Sequence, residues 1–140
     1  MESRNCLCIF QRKEKKMRIK SCRYINFMDF VDKTIDFNES VTWIKGKNAR
    51  GKTSVVGGLM WLFFDCDYDL NSNPPIRRKV NGEPVNDIDV SVECVVDQDG
   101  IENRFKKVQR RKISTSEKVV GGAIIEVTET SDTNGYYVAY

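Results

Sequence analysis

The residues of this 140-residue chain best suited to chemistry are Gly46-Lys47-Asn48-Ala49-Arg50-Gly51-Lys52-Thr53. A phosphate group needs several N–H donors converging on it. A glycine-rich turn that runs into a helix supplies them, because the first helical N–H groups have no partner within the helix. Gly46 and Gly51 permit backbone angles and close approaches that a side chain would block. Lys52 is placed to reach the outer phosphates, and the Thr53 hydroxyl suits magnesium, a hard ion that prefers oxygen. Ser54 follows directly and joins the expected contact set. The chemistry implied is the binding of a nucleoside triphosphate with magnesium. Other chemistries are excluded by composition: there is no histidine, so no histidine base or metal ligand exists in this chain. The cysteines Cys6, Cys8, Cys22, Cys66 and Cys94 are odd in number and form no Cys-x-x-Cys, so neither a disulfide scaffold nor a zinc site is expected.

Such a loop must be held between an apolar strand and a helix. Val41-Thr42-Trp43-Ile44, β-branched and aromatic, is the expected strand. Lys52 to about Phe64 is the expected helix, with Val55, Val56, Leu59, Met60, Leu62 and Phe63 as its apolar face. Gly57 and Gly58 weaken it by about 1 kcal/mol each relative to alanine, a cost that close packing against a sheet would justify. Upstream, Met17 to Ile25 and Val31 to Phe37 read as strands, with a turn at Asn38-Glu39-Ser40. Downstream, Asp65 to Pro75 reads as a polar loop. From Ile88 to Val96 apolar and polar residues alternate, which marks a half-buried strand. Asp97-Gln98-Asp99-Gly100 is a hairpin turn, and Ile101 to Val108 returns as the partner. Beyond Arg110 the pattern fades; Ala123 to Thr128 and Tyr136 to Tyr140 read as two separate strands.

Taken together, these features resemble the SMC/SbcC-type DNA-repair ATPases, relatives of the ABC transporter engines. The resemblance rests on the Gly-x-Asn-x-x-Gly-Lys-Thr loop with Asn48, and on Met17-Arg18-Ile19-Lys20, Asn26-Phe27-x-x-Phe30 and Ile35-Asp36-Phe37 before it. The helix end Trp61-Leu62-Phe63-Phe64-Asp65, Asn81-Gly82-Glu83-Pro84, Val90-Ser91-Val92-Glu93 and the Asp99-Gly100 hairpin resemble a phage or prophage branch. About residues 17–112 are covered. The resemblance implies an α/β P-loop NTPase fold of the ABC/SMC N-terminal-lobe kind, incomplete, with a mixed β-sheet around the P-loop helix. It implies ATP and Mg2+ as cofactors, with Gly46, Lys47, Asn48, Ala49, Arg50, Gly51, Lys52, Thr53 and Ser54 on the nucleotide and Thr53 on the metal. Two positions depart from the family pattern. Met28 stands where members often carry an arginine near the nucleotide, and Ala49 stands where glycine is usual. No aspartate–glutamate strand of a second lobe and no Leu-Ser-Gly-Gly-type signature of a partner head is found. The expected function is therefore ATP binding as part of an ATPase in DNA repair, recombination or phage DNA processing, with hydrolysis dependent on a C-terminal lobe or second head. The alternative is a non-catalytic remnant or regulatory fragment that docks on an intact head.

The chain is 40% hydrophobic and 31% charged, which fits a globular rather than a disordered protein. Its net charge of +3 resides in residues 1–16, read as a basic tail preceding a lobe over 17–140, with Met17 as the natural start. The remainder is neutral overall, so net charge gives no case for nucleic-acid binding by the folded part. Arg104, Lys106, Lys107, Arg110, Arg111 and Lys112 form the one basic run, read as a solvated strand edge rather than a DNA contact. Trp61, Phe63 and Phe64 are expected in the core. No apolar stretch is long enough to span a bilayer, and a cytoplasmic location is expected, with DNA reached through the full-length protein.

Overall fold

The computed structural model describes residues 16–47 and 51–139. Seven strands and one helix occur in the order β1 (Met17–Ile25), β2 (Asp32–Asp36), α1 (Lys52–Phe64), β3 (Lys79–Val80), β4 (Glu83–Pro84), β5 (Val90–Gln98), β6 (Ile101–Val120) and β7 (Ala123–Ala139). Five strands form one sheet in the order β2-β1-β5-β6-β7, and β3 pairs with β4 apart from it. Every ladder among the described residues is antiparallel, not the mixed sheet expected from the sequence. The difference traces to Val41–Ile44. It has strand composition but pairs with nothing among the described residues, and Val41 and Trp43 are 57% and 79% exposed. Composition makes a segment ready for a sheet; a ladder also needs a neighbour.

The alternation read over β5 is real. Val90, Val92, Cys94 and Val96 are buried and point toward α1, because successive strand side chains alternate between faces. Asp99 (φ 53°) and Gly100 (φ 86°) turn the chain into β6, since a two-residue hairpin needs left-handed angles at both central positions. Tyr24, Phe27, Val55, Trp61, Leu62 and Ile76 complete the core.

α1 has the expected boundaries, but its buried face is Ser54, Val55, Gly57, Gly58, Trp61 and Leu62. Val56 and Phe63 sit at 37% and 39% exposure, and Phe64 at 70%, so only Trp61 of the three aromatic residues lies in the core. Gly58 is there for packing: a Cβ would lie 2.2 Å from a Tyr24 ring carbon. The Tyr24 hydroxyl donates to the Val55 carbonyl at 2.8 Å, and burial raises its pKa well above the ordinary value.

Two features were not expected. Cys22 and Cys94 face each other across β1 and β5, with Cα atoms 4.3 Å apart, and are joined as a disulfide in the core. The strand register brings together two cysteines 72 residues apart in sequence. The second feature is the length of β6 and β7. The two separate strands read beyond Arg110 are one 17-residue strand, closed onto the 20-residue β6 by a turn at Gly121-Gly122. Past Gln109, β6 pairs only with β7, and the pair projects as an exposed ribbon.

Candidate nucleotide-binding site

The N-terminus of α1 is left open by its own sequence. It has no side-chain cap and no acidic residue in its first turn. The first intrahelical bond runs from Val55 N to Gly51 O at 3.2 Å, so the amides of Lys52, Thr53 and Ser54 have no backbone acceptor among the described residues. Gly51 enters the helix at φ 88°, a left-handed angle that a side chain rarely adopts. A Cβ there would also lie 2.7 Å from Phe30. Phe30 is held by the 26–30 turn, which bonds to the 76–78 segment through Met28 N to Ile76 O (2.8 Å) and Arg78 N to Asn26 O (3.3 Å).

The expected site residues fall into distinct positions. The Lys52 ammonium donates to the Gly46 carbonyl at 2.7 Å. Gly46, Lys47 and Thr53 are exposed. Ser54 is buried, and its hydroxyl donates to Asp29 Oδ2 at 2.9 Å, which turns it toward the protein. Asn48, Ala49 and Arg50 lie outside the described residues, as do residues 1–15 of the tail. Met28, at the family's arginine position, packs along α1 with its sulfur 3.6 Å from where a Cβ on Gly57 would stand. Asp29 was not singled out from the sequence, and no motif marks it.

Two spaces adjoin this end of α1. A cavity of about 160 Å³ has Thr53, Gly57, Met28 and Tyr68 in its wall. A groove of about 450 Å³ is lined by Met28, Asp29, Val31, Pro75, Arg78 and Lys79. Among the described residues no cluster of carboxylates or cysteines suits a metal ion. Magnesium would meet the Thr53 hydroxyl, with phosphate oxygens and water completing its shell.

The other end of α1 is closed. No basic residue lies in its last turn, yet Lys107 supplies the charge from β6. Its buried ammonium donates to the Trp61 carbonyl at 2.9 Å, pairs with Asp65 and lies 4.3 Å from the Trp61 ring centre. A cation at a helix C-terminus is favourable because carbonyl dipoles converge there. The basic run is therefore not one solvated edge. Lys107 and Arg111 face inward, while Arg104 and Arg110 face water and pair with Glu93 and Asp89.

The sequence profile of the AAA domain family matches residues 21–138. The chain belongs to that family. It is 28% identical over 118 residues to a DNA double-strand break repair Rad50 ATPase of Sulfolobus acidocaldarius, covering 84% of this chain and 13% of that protein. It is 31% identical over 62 residues to the DNA replication and repair protein RecF of Clostridioides difficile, covering 44% of this chain and 17% of that protein. In fold it is similar to the recombination mediator RecF solved with ATP, with a TM-score of 0.55 at 17% identity over 81% of this chain and 28% of that one. The chain is thus an ATPase-like domain of the SMC/SbcC type, similar to the N-terminal region of DNA repair and recombination proteins. It spans less than a fifth of the Rad50 and RecF sequences it matches.

Proposed function

We propose that the chain is the ATP-binding lobe of an SMC/SbcC-like ATPase acting in DNA repair, recombination or phage DNA processing. The observation that carries this is the N-terminus of α1, which has no side-chain cap and no acidic residue in its first turn and stands behind a glycine that no other residue replaces without strain. Gly46 to Gly51 wrap the phosphates, Lys52 leaves the Gly46 carbonyl to neutralise them, and Thr53 holds magnesium. The ion adds positive charge against the phosphate oxygens. Ser54 contributes its amide, since its hydroxyl is committed to Asp29. The groove beside Met28 and Lys79 takes the nucleoside.

Turnover is proposed to need a second lobe. Val56 on α1, with Trp43 and Ile44 before the P-loop, leaves apolar surface uncovered beside the site. The small share of each relative covered by this chain agrees with that need. We place the protein in the cytoplasm; no described helix is long and apolar enough to cross a membrane. Cytosolic thiols keep accessible disulfides reduced, whereas the Cys22–Cys94 pair is sealed at 1% and 0% exposure.

The test is calorimetry of magnesium-dependent ATP binding by the full chain and by Lys52→Ala, with phosphate release measured in parallel. Binding lost in the variant, and no release by either, supports the proposal. No binding by a folded wild-type chain favours a fragment that docks on an intact head instead.

A further inference from the structure

The outer part of the β6–β7 ribbon lacks a third strand. β5 pairs with β6 only as far as Val90 and Gln109, and from Arg110 to Val120 β6 pairs with β7 alone, in unbroken register to the Gly121-Gly122 turn. At about 3.3 Å per residue, the ribbon runs roughly 35 Å past its last three-stranded position. Two strands by themselves are marginal in water unless another surface supports them.

The free edge of the ribbon is β7, the last strand in the sheet order. Edge strands are normally kept from pairing by shortness, lysine or proline. The opposite edge, β2, follows that rule, with five residues and Lys33 at its second position. β7 does not. Over 17 residues it has no lysine, arginine or proline, and its charged residues are Glu126, Glu129 and Asp132. Asp132 pairs with Arg111, and Glu129 with Lys118. Glu126 stands directly opposite Glu117, and neither has an ion pair among the described residues. Like charges opposite each other destabilise a strand pair.

The turn fixes which groups face outward. Gly121 (φ 62°) and Gly122 (φ 82°) are both left-handed, so Val120 and Ala123 close the two-residue hairpin as a hydrogen-bonded pair. Counting from there, Glu117 and Glu126 form a non-hydrogen-bonded pair, in which side chains stand closest. The same count turns the N–H and C=O of Ile124, Glu126 and Thr128 out of the free edge. Ile125 and Val127 flank Glu126 and lie on the other face of the ribbon.

We propose that this edge takes an extended segment of a partner protein as a sixth strand, and that the segment reads apolar, basic, apolar opposite Ile125, Glu126 and Val127. Main-chain bonds to the β7 edge supply affinity, and alternate side chains supply specificity. A lysine or arginine opposite Glu126 answers two carboxylates that repel each other. Its apolar neighbours cover Ile125 and Val127. A second copy of this chain is the poorer occupant, because it would set acidic strand against acidic strand with no cation on either. The edge is also separate from the apolar surface at Trp43, Ile44 and Val56 that a second lobe would cover.

The test is fluorescence anisotropy of a labelled peptide, Thr-Ser-Thr-Val-Arg-Val-Thr-Ser-Thr, titrated with the full chain. Saturable binding is expected, about tenfold weaker when the central arginine is replaced by glutamate. Glu126→Lys should reverse that preference. Thr128→Pro removes an outward N–H and leaves the β6 ladder intact, so peptide binding should be lost with circular dichroism unchanged. No saturable binding overturns the proposal, as do equal binding of the two peptides and arginine-peptide binding that survives Thr128→Pro. Sedimentation showing wild-type dimers that Thr128→Pro dissolves would make a second copy the occupant, and overturns it too.

Discussion

The two ends of α1 are finished in opposite ways. At the C-terminal end Asp65 caps the last turn in a left-handed conformation (φ 58°), its amide bonds to the Trp61 carbonyl, and Lys107 adds a buried positive charge from β6. At the N-terminal end there is no side-chain cap and no acid, and among the described residues no backbone acceptor for three amides. A helix in water usually satisfies both ends or frays at both. Here the sheet secures one end, and Tyr24 locks the middle against Gly58 and the Val55 carbonyl. The other end is the one we propose for the nucleotide. On that proposal, stability and binding fall to different turns of one helix.

Four substitutions would break or sharpen that contrast. The largest effect is expected from Gly51→Ala, which meets both the left-handed angle and Phe30. Strain of about 3 kcal/mol corresponds to at least about a 100-fold loss of ATP affinity by calorimetry. Gly58→Ala drives a methyl group into Tyr24 and should destabilise the fold by about 2 kcal/mol in urea unfolding. Lys107→Met removes one of two donors from the Trp61 carbonyl and leaves the Asp65 carboxylate without its ion-pair partner. It should cost about 2 kcal/mol in the same measurement, while the ATP affinity of the folded molecules stays within about twofold; a large loss of affinity would mean the two ends are not separable.

The smallest effect is electrostatic. The Arg111 guanidinium holds the Asp132 carboxyl below the usual carboxylate range. A depressed folded value means stability present above the unfolded value and lost as pH falls through the folded one. Asp132→Asn should therefore flatten the loss of stability on acidification below about pH 4, as read by thermal unfolding across pH.

Much of this arrangement was legible in the sequence where a local pattern carries it. The P-loop spacing, the bounds of α1 and the β5–β6 hairpin all follow from short-range periodicity and turn chemistry. What was not legible depends on register. Cys22 meets Cys94 only because β1 and β5 pair at that offset. The basic run looked uniform in sequence, but strand alternation sends Lys107 and Arg111 inward and Arg104 and Arg110 outward. The outer half of the β6–β7 ribbon has polar residues on both faces, so no alternation announced it. Val41–Ile44 shows the reverse failure, since its composition promised a strand that has no partner among the described residues.

The most direct test of the account is amide NMR of the full chain titrated with magnesium and ATP. The account predicts that the amides of Gly51, Lys52, Thr53 and Ser54 shift first and furthest, while those of Trp61 to Asp65 stay in place. Shifts centred on the Lys107 end of α1, or none at Lys52 to Ser54 in a folded chain that binds ATP, would contradict it.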